Sequence, residues 1–250
     1  MYSKTCFKIA LCGLLLVCGR SVALPYSKNP NVGRLIEKEA ARQHSEDKKS
    51  AFVYGKRVTG KEYPFYVYKD GDSDVNRFFP TGFMGDLRAE RADLYCRDKP
   101  YSGKTCAKFT YVSKALGDWA GFYWQYPAND WADSPGGYDL TRAKRLTFWA
   151  RGERGEEVIN VFQVGGINGK FSDSTNVSIG PIPLTKEWQK YTIELQRAQF
   201  ATVFSQEAFQ SKDLPPLCRI IGGFGWEASA DANDQNDIVF YLDEIRFENE

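Results

Sequence analysis

The feature that most constrains the fold is a succession of short segments rich in aromatic and β-branched residues, separated by clusters of Gly, Pro, Asn and Asp. Such segments favour extended strands, and the separating residues favour turns. Eight strands are predicted, at 63–68, 107–112, 119–126, 146–151, 158–164, 189–195, 219–226 and 238–247. Because no helical pattern alternates with them, they predict an all-β sandwich of the jelly-roll type.

The start of the chain predicts export. Residues 1–23 contain two lysines, then a short apolar run and a small-x-small cleavage site, which are the parts of a signal peptide. The apolar run is too short to span a bilayer. An alternative is a lipoprotein acylated at Cys18, although the bulky Val17 precedes that cysteine. We therefore predict an exported protein, periplasmic or extracellular, with no membrane span.

Two further regions are expected after the signal peptide. Residues 24–60 form a charged arm or linker with a short helical pattern. Residues 61–250 are long enough to be one domain with a substantial core. Within this domain, residues 197–216 show apolar residues at helical spacing and end in two prolines, so we interpret them as a surface insertion.

The charge of the predicted domain argues against nucleic acid as a partner. Residues 62–250 contain 21 lysines and arginines against 28 aspartates and glutamates. Nucleic-acid binding rests on basic patches that neutralise phosphates, and this acidic balance does not favour them. The single histidine, His44, precedes the domain, which weakens any metal site or catalytic triad that needs imidazole.

Three cysteines lie beyond the signal peptide, and two of them are predicted to pair. In an oxidising compartment Cys96 and Cys106 form the natural disulfide, because the segment between them contains turn residues that fold it back. Cys218 is then left over. We interpret it as a small buried hydrophobe rather than a catalytic thiol.

The aromatic run at 118–131 suggests a ligand. Side chains alternate along a strand, so the run has two aromatic faces, one with Ala120, Phe122, Trp124 and Tyr126, the other with Trp119, Gly121, Tyr123 and Gln125. A one-sided sheet normally has one polar face. The second face must therefore meet either more core or a flat apolar ligand.

A sugar is the ligand that we favour for this face, because its C–H patches stack on rings while polar side chains bond its hydroxyls. The candidate binding residues are Trp119, Tyr123, Gln125, Trp131, Trp149, Arg151 and Trp226. In the strand at 146–151, Trp149 and Arg151 are predicted to lie opposite the core face. For each ring the alternative is a place in the core, where aromatics usually supply buried area.

Two acidic motifs suggest calcium. Residues 70–76 place oxygen ligands at alternate positions, including Asp70 and Asp72, which suits a hard cation. By strand alternation, Asp243 shares an inward face near the end of the chain, and a buried carboxylate needs a partner. The alternatives are a solvated acidic turn and a strand bulge that turns Asp243 out to water.

Eight motifs follow one another in a distinctive order. They are 63–68, 80–86, 119–125 (Trp-Ala-Gly-Phe-Tyr-Trp-Gln), 137–140, 146–152, 184–191, 221–224 and 240–245 (Phe-Tyr-Leu-Asp-Glu-Ile). This order resembles galactose-binding-like jelly rolls of the carbohydrate-binding-module type, over nearly all of 61–250. The resemblance implies a structural calcium held by Asp70 or Asp72 with Asp243. It also implies that Trp119, Tyr123 and Trp149 stack sugars on a concave face.

The sequence therefore predicts an exported, calcium-stabilised carbohydrate-binding protein without catalysis, whose partner is an oligo- or polysaccharide. One alternative is a jelly-roll glycoside hydrolase or polysaccharide lyase, with Asp130 beside Trp131 and Glu227 beside Trp226 as the candidate acids. Another alternative is a protein-binding module in envelope assembly.

Overall fold

A computed structural model describes residues 54–112, 115–195 and 214–250. The predicted signal peptide, the predicted arm up to residue 53 and residues 197–213 of the predicted insertion lie outside the described residues. The described part is all-β, with two short 3-10 turns at Gly60–Glu62 and Asp231–Asn233 and no α-helix. The described residues contain no helix that is long and apolar enough to cross a membrane.

The strands are numbered in chain order. They are β1 Lys56–Arg57, β2 Phe65–Tyr68, β3 Phe79–Gly85, β4 Glu90–Cys96, β5 Cys106–Tyr111, β6 Trp119–Gln125, β7 Tyr138–Asp139, β8 Arg145–Gly152, β9 Val158–Ile159, β10 Val161–Gly165, β11 Asn176–Ile179, β12 Ile182–Pro183, β13 Gln189–Glu194, β14 Gly222–Ser229 and β15 Ile238–Glu248. The described residues confirm the predicted all-β jelly-roll sandwich.

Two antiparallel sheets form the sandwich. The five-stranded sheet has the order β11-β10-β14-β6-β3, and the six-stranded sheet has the order β13-β8-β15-β5-β4, with β2 also paired to β15. The pairs β1-β7 and β9-β12 lie outside these sheets. Each large sheet therefore has one face toward the other sheet and one outer face.

The core lies between the two sheets and is mostly aromatic. Its largest fully buried rings include Phe109, Phe122, Trp124, Phe148, Phe162, Phe224 and Trp226. Many of these rings meet tilted or edge to face, as Phe122 and Trp124 do at 4.9 Å between centroids, an arrangement that aromatic pairs prefer. The inward side chains of β6 and β8 are those that strand alternation predicts.

The folded domain begins before the predicted boundary at residue 61. β1 pairs in parallel with β7, and Val58 belongs to the main core. The end of the predicted arm is therefore part of the folded domain. A basic composition at 56–57 hides this, because both residues of β1 are exposed while the apolar residue that anchors the segment follows them.

Candidate functional site

The outer face of β6 is covered by further protein at the end nearest Gln125. Tyr123 is only 4% exposed and Gln125 is fully buried. A second apolar cluster covers the face, formed by Tyr123, Ala132, Ile167 and Ile221, with Met84 and Trp131 packed against it. The Tyr123 hydroxyl donates to the carbonyl of Gly165 at 2.8 Å. At this end of β6 the second aromatic face therefore packs against more core and not against a ligand.

Gln125 has both ends of its amide occupied. Its Nε2 donates to the carbonyl of Asp130 at 3.0 Å, and its Oε1 accepts from the Thr81 hydroxyl at 2.9 Å. The prediction that Tyr123 and Gln125 face a sugar is therefore wrong, since both are buried beneath the chain's own loops. Trp131 is partly buried beside Tyr123, and its predicted role stays a prediction.

Trp226 lies on the inner face of β14 and is fully buried. Its ring meets Phe109 at 5.1 Å and Phe240 at 4.9 Å, so it joins the two sheets through the core. The prediction that Trp226 binds a ligand is wrong. The core alternative, which is the usual place for an aromatic ring, is the correct one.

Trp149 and Arg151 lie on the outer face of the other sheet, away from β6. The segment 97–105, here called the Tyr101 loop, covers them. Tyr101 stacks on Trp149 with 3.7 Å between ring centroids and 15° between planes. Arg151 donates to the Asp98 carboxylate at 3.1 Å and to the Asp98 carbonyl at 2.9 Å. The structure therefore does not bring Trp149 and Arg151 together with Trp119.

The two cysteines that flank the Tyr101 loop are neighbours but are not bonded. Cys96 and Cys106 are directly opposite each other on β4 and β5, and both are free buried thiols. Burial raises the pKa of the Cys106 thiol, and the nearby Cys96 and Asp243 raise it further. The predicted proximity is confirmed and the predicted disulfide is not formed. Cys218 is fully buried, as its interpretation as a small hydrophobe requires.

The predicted calcium ligand Asp70 is used as a hydrogen-bond acceptor. Its Oδ1 accepts the backbone N–H groups of Lys104 at 2.7 Å and Thr105 at 2.8 Å. Asp72 lies exposed in the same turn. A carboxylate oxygen that is surrounded by N–H donors is poorly placed to hold a cation as well.

Asp243 is also used as an acceptor, and a bulge in β15 decides where it lies. The register of β15 against β8 shifts between Asp243 and Arg246, where Glu244 has φ 49°. Asp243 lies on the outer side with Tyr241, and the bulge after it turns Ile245 and Phe247 back to the core, which corrects the predicted inward face of Asp243. Asp243 nevertheless stays fully buried, because the Tyr101 loop covers it and Ser102 N–H donates to its Oδ2 at 3.1 Å.

These carboxylates do not fit the calcium cage that the resemblance implies. Calcium takes six to eight oxygen ligands. Among the described residues, no group of three or more acidic, histidine or cysteine side chains is placed to hold a metal ion. Asp70 and Asp243 instead hold the same segment, Ser102 to Thr105, through its N–H groups. The Ser102 hydroxyl adds a bond to Glu244 at 2.6 Å.

An open cleft lies at the start of β6, beside Trp119. Trp119 is 42% exposed, and no other tryptophan in the described part of the chain is classed as exposed. The cleft has a volume of about 570 Å³ and is lined by Gly85, Asp86, Leu87, Arg88, Gly117, Asp118 and Trp119. We call it the Trp119 cleft. Its size falls within the range of small-ligand sites.

Two turns form the walls of this cleft, and glycines make both possible. Gly85 has φ 74°, and a side chain there would collide with the Trp119 carbonyl, so the chain can turn sharply after β3. The Asp86 N–H then donates to that carbonyl at 2.9 Å. On the other wall, Gly117 has φ 84° and donates its N–H to Asp231 at 3.1 Å. Both turns are therefore held by hydrogen bonds.

The cleft combines an aromatic surface with charged groups at its rim. Leu87 and Trp119 expose 58% and 42% of their area, and Asp86, Arg88 and Asp118 line the same space. A ring beside acceptors and a donor is an arrangement that can bind a flat, hydroxyl-rich molecule. Sequence reasoning finds Trp119 but not the acids. The sequence signal for them is their position in the glycine-containing turns next to a strand end.

The two acids considered for a glycosidase are not placed as a pair. Glu227 is opposite Gly121 in the β14-β6 register and accepts from Gln163 at 3.3 Å. Asp130 contacts Gln125, four positions further along β6. These positions on β6 are about 13 Å apart at the usual rise per residue. Glycosidase carboxyl groups are about 5–9.5 Å apart, and the Asp130 carboxylate here accepts the N–H groups of Asp133 and Ser134 in its own turn.

No protein-family model and no curated protein matches the chain. Solved structures do. The family 11 carbohydrate-binding module of a cellulosomal cellulase of Clostridium thermocellum is 13% identical, with 70% of this chain and 91% of that chain covered and a TM-score of 0.44. A family 30 carbohydrate-binding module of another cellulosomal cellulase of that organism is 12% identical, covering 74% and 97%, with a TM-score of 0.47.

An agarase is also similar, at 13% identity and a TM-score of 0.42, with 75% of this chain but 24% of the agarase covered. The similar structures thus include carbohydrate-binding modules, the class that the sequence motifs resemble. The likeness concerns the fold. It carries no ligand over to this chain.

Proposed function

We propose that this protein is an exported, non-catalytic carbohydrate-binding protein whose sugar site is the Trp119 cleft. The observation that carries the proposal is the exposed indole of Trp119 at the edge of an open cleft with hydrogen-bonding groups on its rim. Export rests on the signal-peptide pattern in residues 1–23. A periplasmic or extracellular protein with such a cleft would meet oligo- or polysaccharides.

The physical basis of binding is stacking combined with hydrogen bonding. A pyranose ring laid on Trp119 would remove apolar area of both partners from water. Asp86 and Asp118 would accept hydrogen bonds from sugar hydroxyls, and Arg88 would donate to a ring or hydroxyl oxygen. Hydrogen bonds from backbone N–H groups hold the two turns that carry these groups, one to the Trp119 carbonyl and one to the Asp231 carboxylate. Binding would therefore need little ordering of the site.

The test compares two tryptophans that lie on opposite faces. Trp119→Ala should weaken glycan binding at least about tenfold, the usual loss at a central aromatic anchor. Trp149→Ala is the matched control, because Tyr101 already occupies its ring face. Isothermal titration with a glycan selected from an array would measure both variants. The proposal fails if Trp119→Ala binds as tightly as the unmodified protein or if Trp149→Ala suffers the larger loss.

A further inference from the structure

The walls of the Trp119 cleft carry more negative than positive charge. Asp86 and Asp118 both line it, one on each wall, and Arg88 is the single base among the described residues that line it. Asp231 stands behind the second wall, where its Oδ1 accepts the Gly117 N–H at 3.1 Å. Aspartates are normally ionised at neutral pH. A ligand in the cleft therefore meets acids on two sides.

Arg88 does little to neutralise these acids. Its side chain is 91% exposed, and its Nε lies 3.9 Å from Asp86 Oδ1. An exposed ion pair at this distance contributes little and is screened by salt. Asp118 makes no ion pair with Arg88 among the salt bridges of the described residues. The second wall consequently keeps its negative charge.

A buried tyrosine of β5 is close enough to both carboxylates for their charges to affect its pKa. Tyr111 is 1% exposed, and its hydroxyl has no hydrogen-bond partner among the described residues. Burial first, and then the negative charges of Asp118 and Asp86, raise the pKa of Tyr111 to about 12. The two acids therefore act on the same region of the protein, although they come from different turns.

We infer that Asp86 and Asp118 make the Trp119 cleft selective for glycans that lack acidic groups, so that its ligand is a neutral or amino-bearing sugar chain. This inference rests on the proposed function. A uronate or sulfate group on the ligand would lie against two carboxylates, and juxtaposed like charges are a common means of rejecting a wrong partner. Hydroxyl and ammonium groups donate hydrogen bonds to carboxylates instead.

The experiment uses three tetrasaccharides with the same β-1,4-linked gluco backbone and different charges. They are cellotetraose, the glucosamine tetramer and the glucuronate tetramer. The mature protein is titrated with each at low salt and at 0.5 M NaCl, where the Debye length falls to about 4 Å. The same titrations are made with mannotetraose and the mannuronate tetramer, in case the gluco backbone is not the one bound.

The decisive variant is Asp86→Asn with Asp118→Asn, which removes both charges and keeps the size and one acceptor oxygen of each side chain. The unmodified protein should bind the uronate tetramer at least about tenfold more weakly than its neutral counterpart at low salt. The double variant should reduce that gap to less than about threefold, and high salt should reduce it in the unmodified protein. Asp72→Asn with Asp74→Asn is the control, since it removes two exposed charges in another turn.

The outcomes separate this inference from the proposed function. Equal or tighter binding of a uronate tetramer by the unmodified protein overturns the inference and leaves carbohydrate binding intact. A uronate gap that the double variant leaves unchanged also overturns it, because the selectivity then comes from other groups. If no glycan binds and the tryptophan fluorescence of the protein does not change, the proposed function fails and the inference fails with it.

Discussion

Two tryptophans lie on opposite outer faces of the sandwich, Trp119 at the start of β6 and Trp149 in the middle of β8, and their surroundings differ. Tyr101 lies flat on Trp149 at 3.7 Å, and Asp98 binds the neighbouring Arg151. Tyr101 and Asp98 of the protein itself therefore occupy the space beside Trp149 and Arg151 that a bound sugar would need. At Trp119 the corresponding space is an open cleft. An outward aromatic residue is therefore available to a ligand only if no loop returns over it.

The connections between strands account for this difference. The Tyr101 loop folds back over the six-stranded sheet, where Asp70, Asp243 and Glu244 hold it. The turns beside Trp119 instead contain glycines with positive φ and leave an open cleft beside the ring. We call the outer face of the six-stranded sheet beneath the Tyr101 loop the covered face. We predict that its coverage depends on the anchors of the loop, and that the Trp119 cleft does not depend on them.

The largest effect should come from removing an anchor of the covered face. Asp70→Ala leaves the N–H groups of Lys104 and Thr105 without their acceptor, and should lower the free energy of unfolding by about 2–4 kcal/mol. Urea denaturation would measure the change. Asp72→Ala, in the same turn but exposed, should stay within about 0.5 kcal/mol. Equal losses in the two variants would show that Asp70 does not anchor the loop.

The second effect is a pH dependence of stability at the covered face. Burial raises the pKa of Asp243 to about 7, so between about pH 4 and pH 7 the folded state binds more protons than the unfolded state, and stability falls as pH rises. Asp243→Asn should remove about 1–3 kcal/mol of this fall. Denaturation at several pH values would measure it, with the exposed Asp237→Asn as the control. A fall of the same size in the Asp243→Asn variant would contradict the assignment.

A smaller effect is expected when Trp149 is uncovered. Tyr101→Ala removes one stacked ring and should cost about 1–2 kcal/mol of stability. In protein labelled with 5-fluorotryptophan, the ¹⁹F resonance of Trp149 should then be broadened by a soluble paramagnetic relaxation agent. Tyr95→Ala, another exposed tyrosine, should leave that resonance protected. A Trp149 resonance that is already accessible in the unmodified protein would contradict the coverage of Trp149 by Tyr101.

The smallest effect should follow calcium removal. Because Asp70 and Asp243 accept N–H groups from the Tyr101 loop, a chelator should shift the melting temperature by less than about 1 °C. A bound ion at 100 times its Kd would stabilise the fold by about 2.7 kcal/mol and shift the midpoint by several degrees. A shift of that size on adding EGTA would restore the calcium prediction.

The sequence predicts the central strands and the edge strand β13 well, and it misses three other edge strands, β3, β4 and β11. β6, β8 and β15 are rich in aromatic and β-branched residues because most of both faces of each strand is covered. β3 and β4 escape prediction for opposite reasons. β3 contains Pro80 and Gly82, which weaken a strand pattern, and β4 alternates charged residues on its outer side as an edge strand does.

The site is only partly predictable for a related reason. Alternation correctly places Trp119 and Tyr123 on one face of β6, but it says nothing about which loops cover that face. Tyr123 is covered by residues more than 40 positions away in sequence, including Ile167 and Ile221. The bulge after Asp243 likewise breaks the alternation that places it inward. Packing between residues that are far apart in sequence decides whether a side chain is accessible to a ligand. Local sequence patterns do not reveal that packing.

The most direct test of the central claim is a ¹⁹F NMR titration of 5-fluorotryptophan protein with a glycan. The chain has six tryptophans, so the spectrum has few lines, and Trp119→Phe and Trp149→Phe identify the two of interest. We predict that added glycan shifts the Trp119 resonance most and leaves that of Trp149 unchanged. A shift confined to Trp149, or to residues of the covered face, would contradict the assignment of the sugar site to the Trp119 cleft.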